Sequence, residues 1–200
     1  KYIKGISVKN TDVEALVRRR VGASSVAVNV DPTLFFDAED RRRITERLSL
    51  VRGDMFFSRM QTLTVSVNLK GVMGAGVALR AKLQFPDVYV HYQNCCRRRA
   101  IRMGRPGLYQ RELPIHYGLS PDALHSTDSS SHRWFLLFAT KTDWRHDSDV
   151  EGIKAGLRWI KKNYHEAGIT SLAVPALGCG NGNLSWQNMG PILCQELSSL

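Results

Sequence analysis

From Leu48 onward, short apolar runs alternate with stretches whose apolar residues recur at helical spacing. That alternation constrains the chain more than any other feature, because it is the pattern of an α/β protein with a mixed sheet sandwiched between helices. Leu48 to Val51 reads as a strand closing at Gly53-Asp54, and Leu63 to Asn68 as a second. A glycine-rich turn, Gly71 to Gly76, leads into a helix over Val77 to Leu83. Pro86 stops that helix and opens another, Asp87 to about Ile101. Leu108 to Arg111 is a candidate strand, and Arg133 to Ala139 is strongly β. Val150, Ile153, Leu157, Ile160 and Tyr164 mark an amphipathic helix. Leu172 to Val174 is a short strand, Gly178 to Gly182 a second glycine-rich loop, and Ser185 opens a terminal helix.

Residues 1–46 read as a small appendage, and 47–200 as the main domain. In the appendage, Tyr2-Ile3 with Ile6-Ser7-Val8, and Val26 to Val30, are short strands. Between them Asn10-Thr11-Asp12 starts a helix with an apolar face of Val13, Leu16, Val17 and Val21. Asp37 to Arg47, including Arg41-Arg42-Arg43, reads as a solvated linker or short helix. Leu113 to His132 is rich in Pro, Gly, Ser and Asp and reads as a flexible insertion.

Hydrophobic residues at 43% and charged residues at 23% argue against a disordered or collagen-like chain. No apolar run reaches membrane-spanning length, and no signal-peptide stretch follows Lys1, so the chain reads as a membrane-free piece of something longer. The net charge of +10 favours a polyanionic partner, nucleic acid above all. Cys95, Cys96, Cys179 and Cys194 lack zinc-site spacing, and no His/Asp cluster of ligand spacing appears. Free thiols in a cytoplasmic protein, with no metal and no cofactor, are the expectation.

Both glycine loops follow a strand and precede a helix, where an α/β protein binds phosphate through backbone N–H groups and the helix dipole. Neither loop matches the Rossmann fingerprint or the Walker P-loop. Two such loops suggest two walls of one cleft gripping a diphosphate, although two tight turns would look the same.

Leu50-Val51-Arg52-Gly53-Asp54, Gly71 to Ala78, Phe138-Ala139-Thr140-Lys141 and Val174 to Trp186 stand in one order. Together they resemble a macrodomain of the branch that contains the DarG antitoxins and the human terminal ADP-ribose glycohydrolase. The resemblance covers about residues 47–200. It implies an ADP-ribose cleft and removal of ADP-ribose from DNA bases modified by a DarT toxin. It implies that Asp54 accepts from the adenine amino group, with backbone contact from Met55. Val72, Met73, Gly74, Ala75, Gly76 and Val77 would hold the diphosphate and distal ribose together with Pro175, Ala176, Leu177, Gly178, Cys179, Gly180, Asn181 and Gly182. Asn68 falls where the family places a polar residue toward that ribose, and Thr140 is a further ADP-ribose-binding position by the same resemblance.

Lys141 falls where the family has its essential lysine. Two roles are open to it: attack on C1″ as a neutral amine, or stabilisation of developing charge as a cation. The human relative carries an acidic residue where Gly182 stands here, which favours a nucleobase-linked substrate and leaves the general acid unassigned. Ala75 stands where several DarG sequences have another lysine. Trp144, Arg145 and His146 are candidates to stack on and position a nucleobase. Arg97, Arg98 and Arg99, with Arg102 and Arg105, form the densest basic cluster; they would touch a DNA backbone or simply complement a helix dipole.

Residues Lys1 to Val8 and Val28 to Phe36 resemble the C-terminal tail of DarT, which implies a DarT-like toxin domain fused upstream. The implied partners are ADP-ribose, ADP-ribosylated single-stranded DNA and that toxin domain. A binding module that holds ADP-ribose without cleaving it, and an antitoxin acting by contact with the toxin, are the rival readings.

Overall fold

The computed structural model describes residues 5–8, 11–22, 26–30, 41–58, 60–111 and 133–200. The chain divides into two units, Lys1–Ser58 and Arg59–Leu200.

In the first unit β1 (Gly5–Val8) and β2 (Ala27–Val30) pair in parallel, with α1 (Thr11–Val21) connecting them. Val8 and Val28 are buried. Arg18 on α1 pairs with Glu14 at 2.7 Å and donates to the Val28 carbonyl at 3.0 Å, tying helix to strand. The apolar face expected on α1 forms, but no residue of the helix is buried, and Leu16 is 61% exposed. Arg41-Arg42-Arg43 corrects the expectation of a linker or helix. It is β3 (Arg41–Arg43), antiparallel to β4 (Ser49–Val51). Its side chains all stay exposed, so the backbone saturates a strand edge while the charges keep their water. Thr45 closes the connecting turn, its Oγ1 accepting from the Leu48 N–H at 3.0 Å.

The second unit is built on a mixed sheet in the order β6 (Gly107–Tyr109), β7 (Trp134–Ala139), β5 (Thr62–Val67), β8 (Leu172–Ala173). β5 is parallel to β7 and β8, and β6 is antiparallel to β7. β5 and β7 are buried along almost their whole length, which is why both read as near-continuous apolar runs. Phe135 and Phe138 lie an odd number of residues apart and so point to opposite faces. Phe135 meets Phe85, at the junction of α2 (Gly76–Gln84) and α3 (Pro86–Arg97), with ring centroids 4.8 Å apart. Phe138 meets α4 (Val150–Asn163), where a Cβ on Gly156 would sit 2.4 Å from its ring. Helices therefore cover both faces. Asp149 caps α4 and Ser185 caps α5 (Trp186–Leu197), each accepting from an N–H of the first turn.

Two boundaries differ from expectation by more than one residue. α3 ends at Arg97 rather than near Ile101, because Arg99 takes the left-handed conformation at φ +52°. The Ala100 N–H then donates to Cys95 O and the Arg99 N–H to Cys96 O, the paired bonds of a Schellman stop. β6 ends at Tyr109, and Arg111 turns inward instead, with Nε 2.7 Å from Asp87 Oδ2 and its guanidinium over Phe85. Asp87→Ala would leave that buried cation without its carboxylate. It is expected to cost about 3 kcal/mol, read as a lower midpoint of urea unfolding. The insertion expected over Leu113 to His132 falls within 112–132, outside the described residues. So do Tyr2-Ile3 and Phe35-Phe36.

Candidate active site

β5, β7 and β8 run parallel, so the segments following them emerge at one edge of the sheet, where open α/β sheets bind ligands. Val67 pairs with Ala139, which brings Asn68 beside Thr140. The Thr140 N–H donates to Val67 O at 2.9 Å, and the Leu69 N–H to Thr142 O at 3.1 Å.

Asn68 organises the first loop from within. Its Nδ2 donates to Val72 O at 2.6 Å, and its Oδ1 accepts from the Lys70 N–H at 2.9 Å. The buried Tyr92 hydroxyl donates to Asn68 O at 2.7 Å. Burial, with Cys96 beside it, holds the Tyr92 phenol well above its ordinary pKa, so it stays a donor. Met73 is 1% exposed and anchors the loop from within. Val72, Gly74, Ala75 and Gly76 are exposed, and Val77 is half-buried. Ala75 is the N-cap of α2 but has no side-chain oxygen to offer it. The N–H groups of Gly74, Ala75, Gly76 and Val77 have no acceptor among the described residues. An uncapped helix start of this kind is suited to an anion.

The second loop is stitched shut by its own backbone. Cys179 N–H donates to Ala176 O, Asn183 N–H to Gly180 O and Leu184 N–H to Gly178 O, at 3.0–3.1 Å. Leu177 is fully buried and Pro175 half-buried, while Ala176, Gly180 and Asn181 are exposed. Burial pushes the Cys179 thiol pKa up. Gly180, at φ +105°, is a glycine for conformational reasons, since open space surrounds it. Gly182 is a glycine for lack of room. A Cβ there would stand 2.2 Å from Ser148 Oγ and 2.3 Å from Gly178 O.

Lys141 joins the pieces. It is 8% exposed, and its Nζ donates to Asn181 O at 2.7 Å and to His146 O at 2.5 Å. A Cβ on Gly76 would lie 3.3 Å from Asn181 Nδ2, so the two loops meet at Asn181. A lysine in this setting has one direction left to offer. As a cation it has a third N–H; as a neutral amine it has two N–H groups and a lone pair. Either form satisfies both carbonyls and presents its remaining proton or lone pair elsewhere.

The turn after Lys141 carries Trp144, Arg145 and His146, all exposed, with the Arg145 guanidinium 4.6 Å from the Trp144 ring centre. Only the backbone of His146 reaches Lys141. Asp143 braces the turn by accepting from the Arg145 N–H at 3.0 Å, and that bond, with the nearby cations, lowers its pKa. Arg97, Arg98 and Arg99 sit at the end of α3. Asp54 and Met55 lie in the first unit. There Asp54 Oδ1 caps the short helix Met55–Phe57 by accepting from the Phe56 N–H at 3.0 Å, and Met55 O accepts from Ser58.

Three site residues carried no sequence signal. Ser148 donates its N–H to Gly182 O, and its buried Oγ has no partner among the described residues. Asp147 accepts from Asn183 Nδ2 at 2.6 Å. Tyr92 falls on the buried stripe of α3 and reads as core; only the folded loop gives its hydroxyl a partner.

No protein-family model matches the chain. The solved macrodomain of Thermus aquaticus DarG is 34% identical, with TM-score 0.62, and the match covers 75% of this chain and 89% of that one. The chain belongs to the DarG-type macrodomains. The solved Thermosipho africanus DarTG in complex with ADP-ribose matches with TM-score 0.75 and 49% identity, over 100% of this chain and 51% of that one. In sequence, the DNA ADP-ribosyl transferase–DNA ADP-ribosyl glycohydrolase fusion protein of Thermosipho africanus is 48% identical over 200 residues. The DNA ADP-ribosyl glycohydrolase of Thermus aquaticus is 34% identical over 153 residues. This macrodomain chain spans 52% of the fusion protein and 38% of the glycohydrolase. Among the described residues no helix is long and apolar enough to cross a membrane, and no group of side chains is placed to hold a metal. All four cysteines are free.

Proposed function

We propose that this macrodomain is a DNA ADP-ribosyl glycohydrolase that removes ADP-ribose from bases of single-stranded DNA, as the antitoxin part of a toxin–antitoxin fusion. The observation that carries the reading is Lys141, buried where both glycine loops meet and held by two backbone carbonyls. A module that only holds ADP-ribose has no need of a desolvated, oriented amine there.

In this reading the diphosphate lies against the N–H groups that start α2 and the backbone of the second loop. The ribose C1″ then faces Lys141. Hydrolysis adds a water oxygen to C1″, and the base leaves with the electrons of the glycosidic bond and takes up a proton. As a cation, Lys141 stabilises the charge developing on the departing base. As a neutral amine, it attacks C1″, and water later releases the ribose.

The leading segment fits a DarT-like tail fused to this macrodomain. The match to the fusion protein runs over the whole chain, whereas the match to the glycohydrolase covers 76% of it.

The test is incubation of the chain with a single-stranded oligonucleotide carrying ADP-ribose on one base, followed by mass spectrometry. Release of free ADP-ribose with recovery of the unmodified oligonucleotide is expected. Tight ADP-ribose binding in calorimetry without release would sink the hydrolase and leave a reader.

A further inference from the structure

A hollow of about 550 Å³ opens beside the first glycine loop, lined by Leu69, Cys96, Arg99, Ile101 and Arg102. It runs into a second of about 500 Å³ that shares Leu69 and Cys96 and adds Lys70 and Arg97. No carboxylate lines either hollow. Resting on the reading above, we infer that this basic groove carries the sugar–phosphate backbone of single-stranded DNA away from the ADP-ribose site.

Several observations converge on it. The groove starts in the cleft's own wall, because Lys70 and Gly71 lie between Asn68 and Val72 in the first loop. Its cations come from different stretches of chain, so a helix dipole explains only part of them. Arg97 ends α3 and suits the dipole, but Lys70 and Arg102 belong to no helix. None of the four makes a salt bridge among the described residues, although Lys70 lies near enough to Asp143 to help lower its pKa. Arg97 donates to Asn94 Oδ1 and Arg102 Nε to Arg99 O, and each guanidinium keeps further N–H groups for phosphate oxygens. Arg99 holds the left-handed position that ends α3, where glycine is the usual residue. The chain accepts an unfavourable backbone there and gains a guanidinium at the groove wall.

The lining and the reaction both fit a single strand. The lining combines cations with the half-buried apolar side chain of Leu69, so sugar as well as phosphate can lie along it. The reaction calls for a single strand, since a base whose glycosidic substituent enters a cleft has left the stack.

The test compares Arg99→Gln/Arg102→Gln with wild type for binding an unmodified, dye-labelled single-stranded 12-mer by fluorescence anisotropy. At low salt, affinity is expected to fall roughly tenfold, and the slope of log affinity against log salt to shrink by about 1.4, roughly 0.7 per lost contact. With the modified oligonucleotide the cost falls on KM, while calorimetric affinity for free ADP-ribose holds, which also shows that the variant is folded. Lys161→Gln/Lys162→Gln removes the same charge from the exposed end of α4, at the other end of the sheet, and is expected to leave oligonucleotide binding alone. Unchanged affinity and slope in the arginine variant, or equal loss in the lysine control, overturns the groove. Tighter binding of a single-stranded RNA of the same sequence overturns the assignment to DNA. If wild type releases no ADP-ribose, yet the arginine variant still loses oligonucleotide affinity and slope, the groove stands and the hydrolase reading falls.

Discussion

Lys141→Ala is expected to lower ADP-ribose release from modified single-stranded DNA by about 10²–10³-fold, the range seen when one preorganised charge-stabilising donor is removed from an active site. ADP-ribose itself should still bind, because the N–H groups at the start of α2 do not depend on the amine. Some weakening is expected even so. Alanine leaves Asn181 O and His146 O without their shared donor, and the second loop loses its tie to the turn that follows β7. The informative comparison is Lys141→Arg. A guanidinium can donate to both carbonyls and keep a cation in the cleft, but it cannot attack C1″. Partial activity in the arginine variant therefore marks an electrostatic role, and activity as low as that of alanine marks a nucleophile. Borohydride added during turnover separates the two independently. A covalent adduct at Lys141, found by mass spectrometry, follows only from attack by the amine. Equal release by wild type and Lys141→Ala would show that the chemistry lies with another residue.

What the sequence made legible follows from how local each signal is. β5 and β7 read correctly because strands buried on both faces show as unbroken apolar runs. α4 read correctly because its stripe, Ile153, Leu157 and Ile160, is fully buried against the sheet. The two loops read as loops because their glycines are needed where they stand. Features that depend on a distant partner were silent. Arg41-Arg42-Arg43 has no strand propensity to advertise and becomes a strand only because β4 supplies hydrogen bonds. The end of α3 carries no glycine to announce it, since arginine occupies the left-handed position. Nothing in the Thr140-Lys141-Thr142 stretch foretells that the amine is anchored by Asn181, forty residues away in the second loop. Resemblance named Lys141, and tertiary structure shows what orients it.

Gly182 gives the second large effect, and its origin is steric. The Cβ of Gly182→Ala would overlap Ser148 Oγ at 2.2 Å and Gly178 O at 2.3 Å. A hydroxyl can rotate aside. The carbonyl cannot, because it is backbone and already accepts from the Leu184 N–H at 3.1 Å. The loop must open, at a cost of roughly 1–3 kcal/mol by analogy with overpacked cores. For a protein of this size that corresponds to a fall in Tm of roughly 3–10 °C. Opening the loop also moves Asn181 O off Lys141, so activity should drop at least about tenfold, a factor that needs only about 1.4 kcal/mol of lost transition-state stabilisation. The double variant Ser148→Gly/Gly182→Ala separates the two clashes. It removes the hydroxyl and leaves the carbonyl, so it should recover part of the stability and little of the activity. Full recovery would mean that Ser148 alone sets the requirement. Wild-type stability in Gly182→Ala would mean that the loop yields more easily than its hydrogen bonds suggest. Gly182→Asp should be worse than alanine on both measures, since it adds a carboxylate where a methyl group already has no room. The backbone packing of this loop, Gly178 O above all, therefore holds position 182 to glycine.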